Sequence, residues 1–260
     1  MSTLSNLVAV LRLFSAERPE LSVTDVARLL GMPKSSASRL LKSMLREGLL
    51  GSVGNTPRYR IGHLFFEVSR LYDHSSTLMD VADAALSGIC QETRHGGYIS
   101  LLDGPDVLVL RVLRGSEPLR VITPLGSRSP AFATSTGRVL LARLSDDAVR
   151  SLHPNGLAPP SANAPQSIED LLRRLQRIRQ VGWCEAIDEA IPGVGSVAIS
   201  VADPTNAETL ALCVSFPAHV VPELERRRFA ALLSEQAKRI AIQFEDVFWT
   251  GKQFAAVEAA

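Results

Sequence analysis

Between Lys34 and Lys42 the chain reads Lys34-Ser35-Ser36-Ala37-Ser38-Arg39-Leu40-Leu41-Lys42, two lysines, an arginine and three serines within one short helical stretch. Small hydroxyls let a helix backbone settle deep in a DNA major groove, and an arginine there can take guanine O6 and N7 as a bidentate pair. Ser35, Ser36, Ser38 and Arg39 are therefore candidates for reading bases, with Lys34 and Lys42 as cations beside them. Further on, Arg58 and Arg60 are two cations at the tip and return strand of a short hairpin, where they can meet phosphate or enter a minor groove. Other patterns that could do chemistry fail on context. Gly193-Val194-Gly195-Ser196-Val197-Ala198 fits a dinucleotide fingerprint, yet it runs into Val197, Ile199 and Val201 at strand spacing, with no helix start to receive a pyrophosphate. His63, His74, His95, His153 and His219 form no i, i+4 pair and have no cysteine pair nearby, so no metal site is expected. Ser135 lacks the G-x-S-x-G elbow, and no catalytic residue is assigned. The arginines of 173–179 and 226–228 read as solvated helix faces.

The candidate DNA-contacting residues need a particular frame. Leu4, Leu7, Val8, Leu11 and Phe14 recur at three- and four-residue spacing and predict a helix over 4–15. Ser22 with Asp25 forms a capping box that starts a second helix, which Gly31 ends. Pro33 suits the first turn of a third, running to about Glu47, with Ala37, Leu40, Leu41, Met44 and Leu45 as its buried stripe. Two helices about three residues apart with glycine at the turn make a helix-turn-helix. The two short runs around Gly54-Asn55-Thr56-Pro57 then read as a hairpin, the wing that carries Arg58 and Arg60.

Leu64, Phe65, Val68, Leu71 and Tyr72 predict a linker helix over 63–76, whose apolar side calls for a second copy of itself or for the C-terminal domain. Beyond it a helix is expected over 78–93, with strands at 98–102, 107–113, 119–122, 183–187, 196–202 and 209–216. Helices are expected after Ser135 and Ser167, and a last one over 222–249. Hairpins flanked by helices argue an α+β domain with a mainly antiparallel sheet. The expected division is therefore a winged helix-turn-helix over 1–62, the linker helix over 63–76, a second domain over 77–250 and a tail over 251–260.

The charge follows this division. The first 62 residues hold nine Lys and Arg against four Asp and Glu, whereas the rest hold 19 against 23, so that the formal net charge of +1 conceals a basic front and a mildly acidic remainder. That asymmetry fits a nucleic-acid reader joined to something else. Hydrophobic residues make up 46% of the chain, enough for a buried core, and no apolar run is long enough to span a bilayer. Three widely spaced cysteines exclude a disulfide framework, and reduced thiols in the cytoplasm are expected.

Four ordered blocks give the chain a family likeness: Leu30 to Leu41, Arg58 to Gly62, Ala133-Thr134-Ser135-Thr136-Gly137-Arg138-Val139-Leu140-Leu141-Ala142, and Gly182-Trp183 through Asp188-Glu189 to Pro192-Gly193-Val194. Over essentially its whole length the chain resembles the isocitrate lyase regulator (IclR) family of bacterial transcription regulators. The resemblance implies a winged helix-turn-helix, a linker helix, a GAF-like effector-binding domain, and homodimers that often pair into tetramers. It implies a double-stranded DNA operator as partner; no membrane partner and no cofactor are expected. It also implies an effector pocket between the sheet and the loop before the Ser135 helix, at Phe132, Ser135, Thr136, Gly137, Asp188, Glu189, Ser196, Cys213 and Ser215. Hydroxyls and backbone N–H groups at a helix start can hold a small carboxylate, and the alternation of Cys213 and Ser215 puts both on one sheet face. Phe132 stands where the family commonly has His, Ser196 where Cys is frequent, and Ala186 where an acidic residue is common. The expected function is a regulator whose operator affinity responds to a small organic acid. An enzyme acting on a small carboxylate, with an appended basic module, is the alternative.

Overall fold

The computed structural model describes residues 3–15, 18–72, 77–251 and 254, and the chain divides into two compact units, Met1–Ser76 and Thr77–Ala260. The first unit runs α1 (Thr3–Leu11), β1 (Leu21–Ser22), α2 (Val23–Leu30), α3 (Lys34–Arg46), β2 (Leu50–Ser52), β3 (Arg58–Ile61) and α4 (His63–Tyr72). The helix α2 begins on the expected capping box. Ser22 Oγ accepts from the Asp25 N–H at 3.2 Å and Asp25 Oδ2 accepts from the Ser22 N–H at 2.9 Å. It ends at Gly31, left-handed at φ 62°.

Three small differences from the sequence expectation follow from local chemistry. Pro33 caps α3 from outside, its carbonyl accepting from Ser36 and Ala37. The helix α1 stops at Leu11, yet Leu13 and Phe14 still pack on the core. Strand β1 adds a third strand, in the order β1-β3-β2. Leu21, Val26, Ala37 and Leu41 are fully buried in this unit's core. Of the stripe expected on α4, Leu64 and Val68 are exposed, while the side chains of Leu71 and Tyr72, like residues 73–76 and nearly all of the 251–260 tail, lie outside the described residues.

The second unit runs α5 (Thr77–Thr93), β4 (Gly96–Asp103), β5 (Asp106–Leu113), β6 (Arg128–Pro130), a 3-10 turn (Ala131–Ala133), α6 (Ser135–Leu141), α7 (Asp146–Leu152), α8 (Ile168–Val181), β7 (Trp183–Ile187), β8 (Val194–Asp203), β9 (Glu208–Pro217), α9 (Glu223–Phe244) and α10 (Val247–Thr250). Its six strands form one antiparallel sheet in the order β6-β5-β4-β9-β8-β7. Helices cover both faces, and the alternation along β8 and β9 sorts side chains by size. Val197, Ile199, Val201, Leu210, Leu212, Val214 and Phe216 meet α5 and α9, while Ala198, Ala211 and Cys213 meet α6 and α8. Small residues on the second face let α6 approach the sheet closely. Among the described residues no helix is long and apolar enough to cross a membrane.

The structure corrects two expectations in this unit. Residues 119–122 form no strand. Pro118 and Pro124 bracket them, proline has no N–H for a ladder, and Leu119 and Ile122 are exposed. The last helix breaks at Glu245, which is left-handed at φ 56°. The break turns Asp246 inward, where its carboxylate accepts two guanidinium bonds from Arg143 and the Ala202 N–H.

The capping box generates a stability prediction. Ser22→Ala is expected to cost about 1 kcal/mol, the usual worth of such a cap, in chemical denaturation of the whole chain. The Ser22 hydroxyl and then its backbone N–H hold the Asp25 carboxyl below its ordinary value of 3.8. The contribution is therefore complete above pH 3.8 and fades as pH falls through the lowered value, so the gap between wild type and Ser22→Ala should narrow in acid.

Candidate nucleic-acid interface and effector pocket

On α3, Ala37, Leu41 and Met44 face the core. At 100° per residue, Ser35, Arg39 and Lys42 fall on the opposite side, with Ser38 at its edge. Lys34, Ser35, Arg39 and Lys42 are exposed, and Ser36 and Ser38 are half-buried. The ridge is thus cationic and low in bulk. On β3, Tyr59 packs on the core while Arg58 and Arg60 point away from it. Arg58 Nη1 lies 3.7 Å from Glu20 Oε2. Together they edge a cleft of 280 Å³ that Arg18 and Arg28 also line. Those two cations were not among the sequence candidates, because Arg18 precedes β1 and Arg28 sits on α2, the first helix of the helix-turn-helix, and neither is on the third helix or the wing.

In the second unit the structure brings Ser135, Thr136, Ser196 and Cys213 together. Ser135 and Thr136 are fully buried, and the Ser135 and Ser196 hydroxyls lie 2.7 Å apart. Ser215 is the β9 partner of Ser196, and its hydroxyl donates to the Gly96 carbonyl at 3.3 Å. Tyr98, the β4 partner of Cys213, completes the group, its phenol facing Cys213, Thr136 and Ser196. Burial pushes the Tyr98 phenol and the Cys213 thiol well above their ordinary ranges. The cluster is therefore a set of neutral donors and acceptors. Phe132 belongs to the same buried core as Cys213 and lies edge-on to His153 at 5.7 Å between centroids. Burial lowers the pKa of that imidazole, and its Nε2 has no partner among the described residues.

The remaining sequence candidates serve the frame. Gly137 donates its N–H to Thr134 Oγ1 at 3.0 Å, and a Cβ there would overlap the Ala131 backbone, so glycine is what lets α6 sit on the 3-10 turn. Asp188, left-handed at φ 54°, accepts from the Gly193 N–H at 2.5 Å and closes the turn between β7 and β8. Glu189 is buried against Arg138. That guanidinium, 2% exposed, bonds both Glu189 oxygens, the Phe132 carbonyl, the Glu185 carbonyl at 2.8 Å and Cys184 Sγ at 3.2 Å. Arg174 reaches Glu189 from α8 at 3.4 Å. The arginines of 173–179 are thus not all a solvated face: Arg174 holds Glu189, and Arg179 donates to the Ala142 and Leu144 carbonyls.

A winged helix-turn-helix joined in the chain to a helix-covered antiparallel sheet with a buried polar cluster is the architecture of a ligand-responsive transcription regulator. Residues 71–242 match the bacterial transcriptional regulator IclR C-terminal family and residues 3–54 match the IclR helix-turn-helix domain, and the chain belongs to the IclR family of transcriptional regulators. The HTH-type transcriptional regulator KdgR of Escherichia coli strain K12 is 25% identical to it over 244 residues, covering 94% of this chain and 92% of KdgR. Among solved structures, an IclR transcriptional regulator from Silicibacter sp. TM1040 superposes with a TM-score of 0.80 at 19% identity, covering 98% of this chain and 99% of the other. An IclR homologue from Microbacterium hydrocarbonoxydans, complexed with 4-hydroxybenzoate, superposes with a TM-score of 0.77 at 22% identity, covering 96% and 100%. At these identities the structural likeness establishes the fold.

The Arg138–Glu189 pair predicts a large structural penalty. Glu189→Ala leaves a guanidinium buried without its counter-charge, and a loss of about 3–5 kcal/mol in the stability of the second unit is expected by denaturation. A small loss would mean that Arg138 finds water or another acceptor there.

Proposed function

We propose that the protein binds a pseudo-palindromic DNA operator as a homodimer, or as a tetramer built from two such dimers, and that a small organic acid alters that binding. Ser35, Ser36, Ser38 and Arg39 read base edges in the major groove, and Lys34, Lys42, Arg58 and Arg60 neutralise phosphates. The observation that carries this half is the placement of Ser35, Arg39 and Lys42 on the side of α3 opposite its buried stripe, with Arg58 and Arg60 turned off the core on the wing. The effector reading rests on the cluster of Ser135, Thr136, Ser196, Cys213 and Ser215. Neutral hydroxyls bind a carboxylate or a phenol by hydrogen bonds alone, and Phe132 favours an aromatic ring beside them. The 4-hydroxybenzoate held by the Microbacterium homologue supports a ligand of this class.

Arg39→Ala should lower specific operator affinity by about 1–3 kcal/mol and relax the preference at one base pair. Arg58→Ala and Arg60→Ala should weaken binding on all sequences alike and make the log-log salt slope shallower by about one each. Retained base preference in the first variant, or unchanged slopes in the other two, would remove these assignments. Sedimentation should find a dimer or larger as the DNA-competent species.

Replacing Ser135 by Ala and Thr136 by Val should abolish the effect of the ligand on DNA binding while leaving ligand-free operator affinity nearly intact. Calorimetry showing undiminished ligand affinity in the double variant would place the pocket elsewhere. Because an effector acts only through unequal affinity for two states, the coupling to be measured is about 1–3 kcal/mol.

A further inference from the structure

We propose a second ligand site in the C-terminal unit, an anion cleft for a monocyclic aromatic carboxylate on the outer side of β7, separate from the hydroxyl cluster. The cleft encloses 330 Å³ between the C-terminal half of α8 and β7, room for one small ring with its carboxylate. Ile178, Val181 and Trp183 give it apolar surface, and Arg138, Arg174 and Arg177 bring three guanidiniums to its lining against the carboxylates of Glu185 and Glu189.

The charges in that lining are already matched, with one exception. Glu189 is taken by Arg138 and Arg174. Glu185 accepts from Arg226 Nε at 2.5 Å. Arg174 also holds Asp170 and the Asn163 carbonyl. The Arg177 guanidinium makes no hydrogen bond and no ion pair among the described residues, and the same is true of the Trp183 indole N–H. An uncommitted guanidinium therefore lines one cleft with Trp183, Ile178 and Val181. A planar carboxylate takes the bidentate fork of Arg177, while its ring packs on Trp183, Ile178 and Val181.

The position has a functional consequence. The cleft shares Arg138 and Glu189 with the frame of the hydroxyl cluster, because Arg138 bonds the Phe132 carbonyl in the turn that leads into α6. A carboxylate drawing on Arg174 competes with Glu189, and so loads the same guanidinium that sets that turn.

The inference does not rest on the hydroxyl cluster being the effector pocket, and the test separates the two. Sodium benzoate is titrated into the intact chain at constant ionic strength, with tryptophan fluorescence as the readout, since Trp183 lines the cleft while Trp249, buried beside Gly182, does not. We expect a saturable change that Trp183→Phe removes and that Arg177→Gln moves to about tenfold higher benzoate, as for a lost charge-assisted bond. Arg177 is exposed, so this variant should keep the wild-type melting temperature. Ser135→Ala combined with Thr136→Val should leave the titration unchanged. No saturable response, an unshifted response in Arg177→Gln, or a response lost with the Ser135 and Thr136 changes would each overturn the proposal. The last outcome would assign the benzoate to the hydroxyl cluster instead.

Discussion

A guanidinium withdrawn from water must find acceptors in its own plane, because it has five N–H donors and cannot shed its proton. Arg138 meets this demand by drawing in the Phe132 carbonyl, the Glu185 carbonyl, the Cys184 sulfur and both oxygens of Glu189. Those acceptors belong to the 3-10 turn, to β7 and to the turn after it, and Glu189 ties in α8 through Arg174. One side chain therefore fixes the distance between α6 and the edge of the sheet. The residues before it on α6, Ser135 and Thr136, are held against Ser196 as a result. Breaking such a pair costs more than the pair contributes over an apolar substitute, so its value here lies in geometry.

The sheet face under α6 makes a second demand. Ser196, Ala198, Ala211, Cys213 and Ser215 are small, and without them a helix beginning Ser-Thr-Gly could not approach so closely. Close approach buries hydroxyls, and buried hydroxyls must pair with something. In this structure Ser135 pairs with Ser196 and Ser215 with the Gly96 carbonyl. Any ligand entering the cluster has to replace bonds that already exist. A compound of the wrong donor pattern leaves groups unpaired at a cost of about 1–3 kcal/mol each, so as the proposed effector pocket the cluster would select by hydrogen-bond pattern and not by charge.

Local grammar was legible in the amino-acid sequence where an element is decided by residues close together in the chain. The capping box at Ser22 and Asp25, the stop at Gly31, the start at Ser167 and the alternation along β8 and β9 are all of this kind. Burial of a charge is not, because it depends on a partner far away in the chain. Arg138 meets Glu189 fifty-one positions later, and Asp246 meets Arg143 across 103. The same limit explains why 222–249 read as one helix, since nothing near Glu245 announces that Asp246 must turn inward. Tyr98 escaped notice for a related reason. In a β-strand an aromatic residue reads as core, and only the pairing with Cys213 reveals that its hydroxyl joins the polar cluster.

Under the proposed function the two units recognise their partners by opposite physics. On the first, the cations of α3 and the wing stay in water, where each contributes little until it displaces the counterions condensed on a DNA phosphate, and salt weakens that contact steeply. On the second, the cluster is neutral and shut away from water, because burial holds the Tyr98 phenol and the Cys213 thiol in their protonated forms. Dissolved ions reach neither the cluster nor the bonds within it, and a ligand held there by hydroxyls gains or loses little with ionic strength. A chain that has to sense a metabolite under the same salt that tunes its grip on DNA needs this separation. It follows from where the sequence puts its charges: arginine and lysine on the exposed ridge of α3 and the wing, and serine, threonine and cysteine on the small-residue face of the sheet.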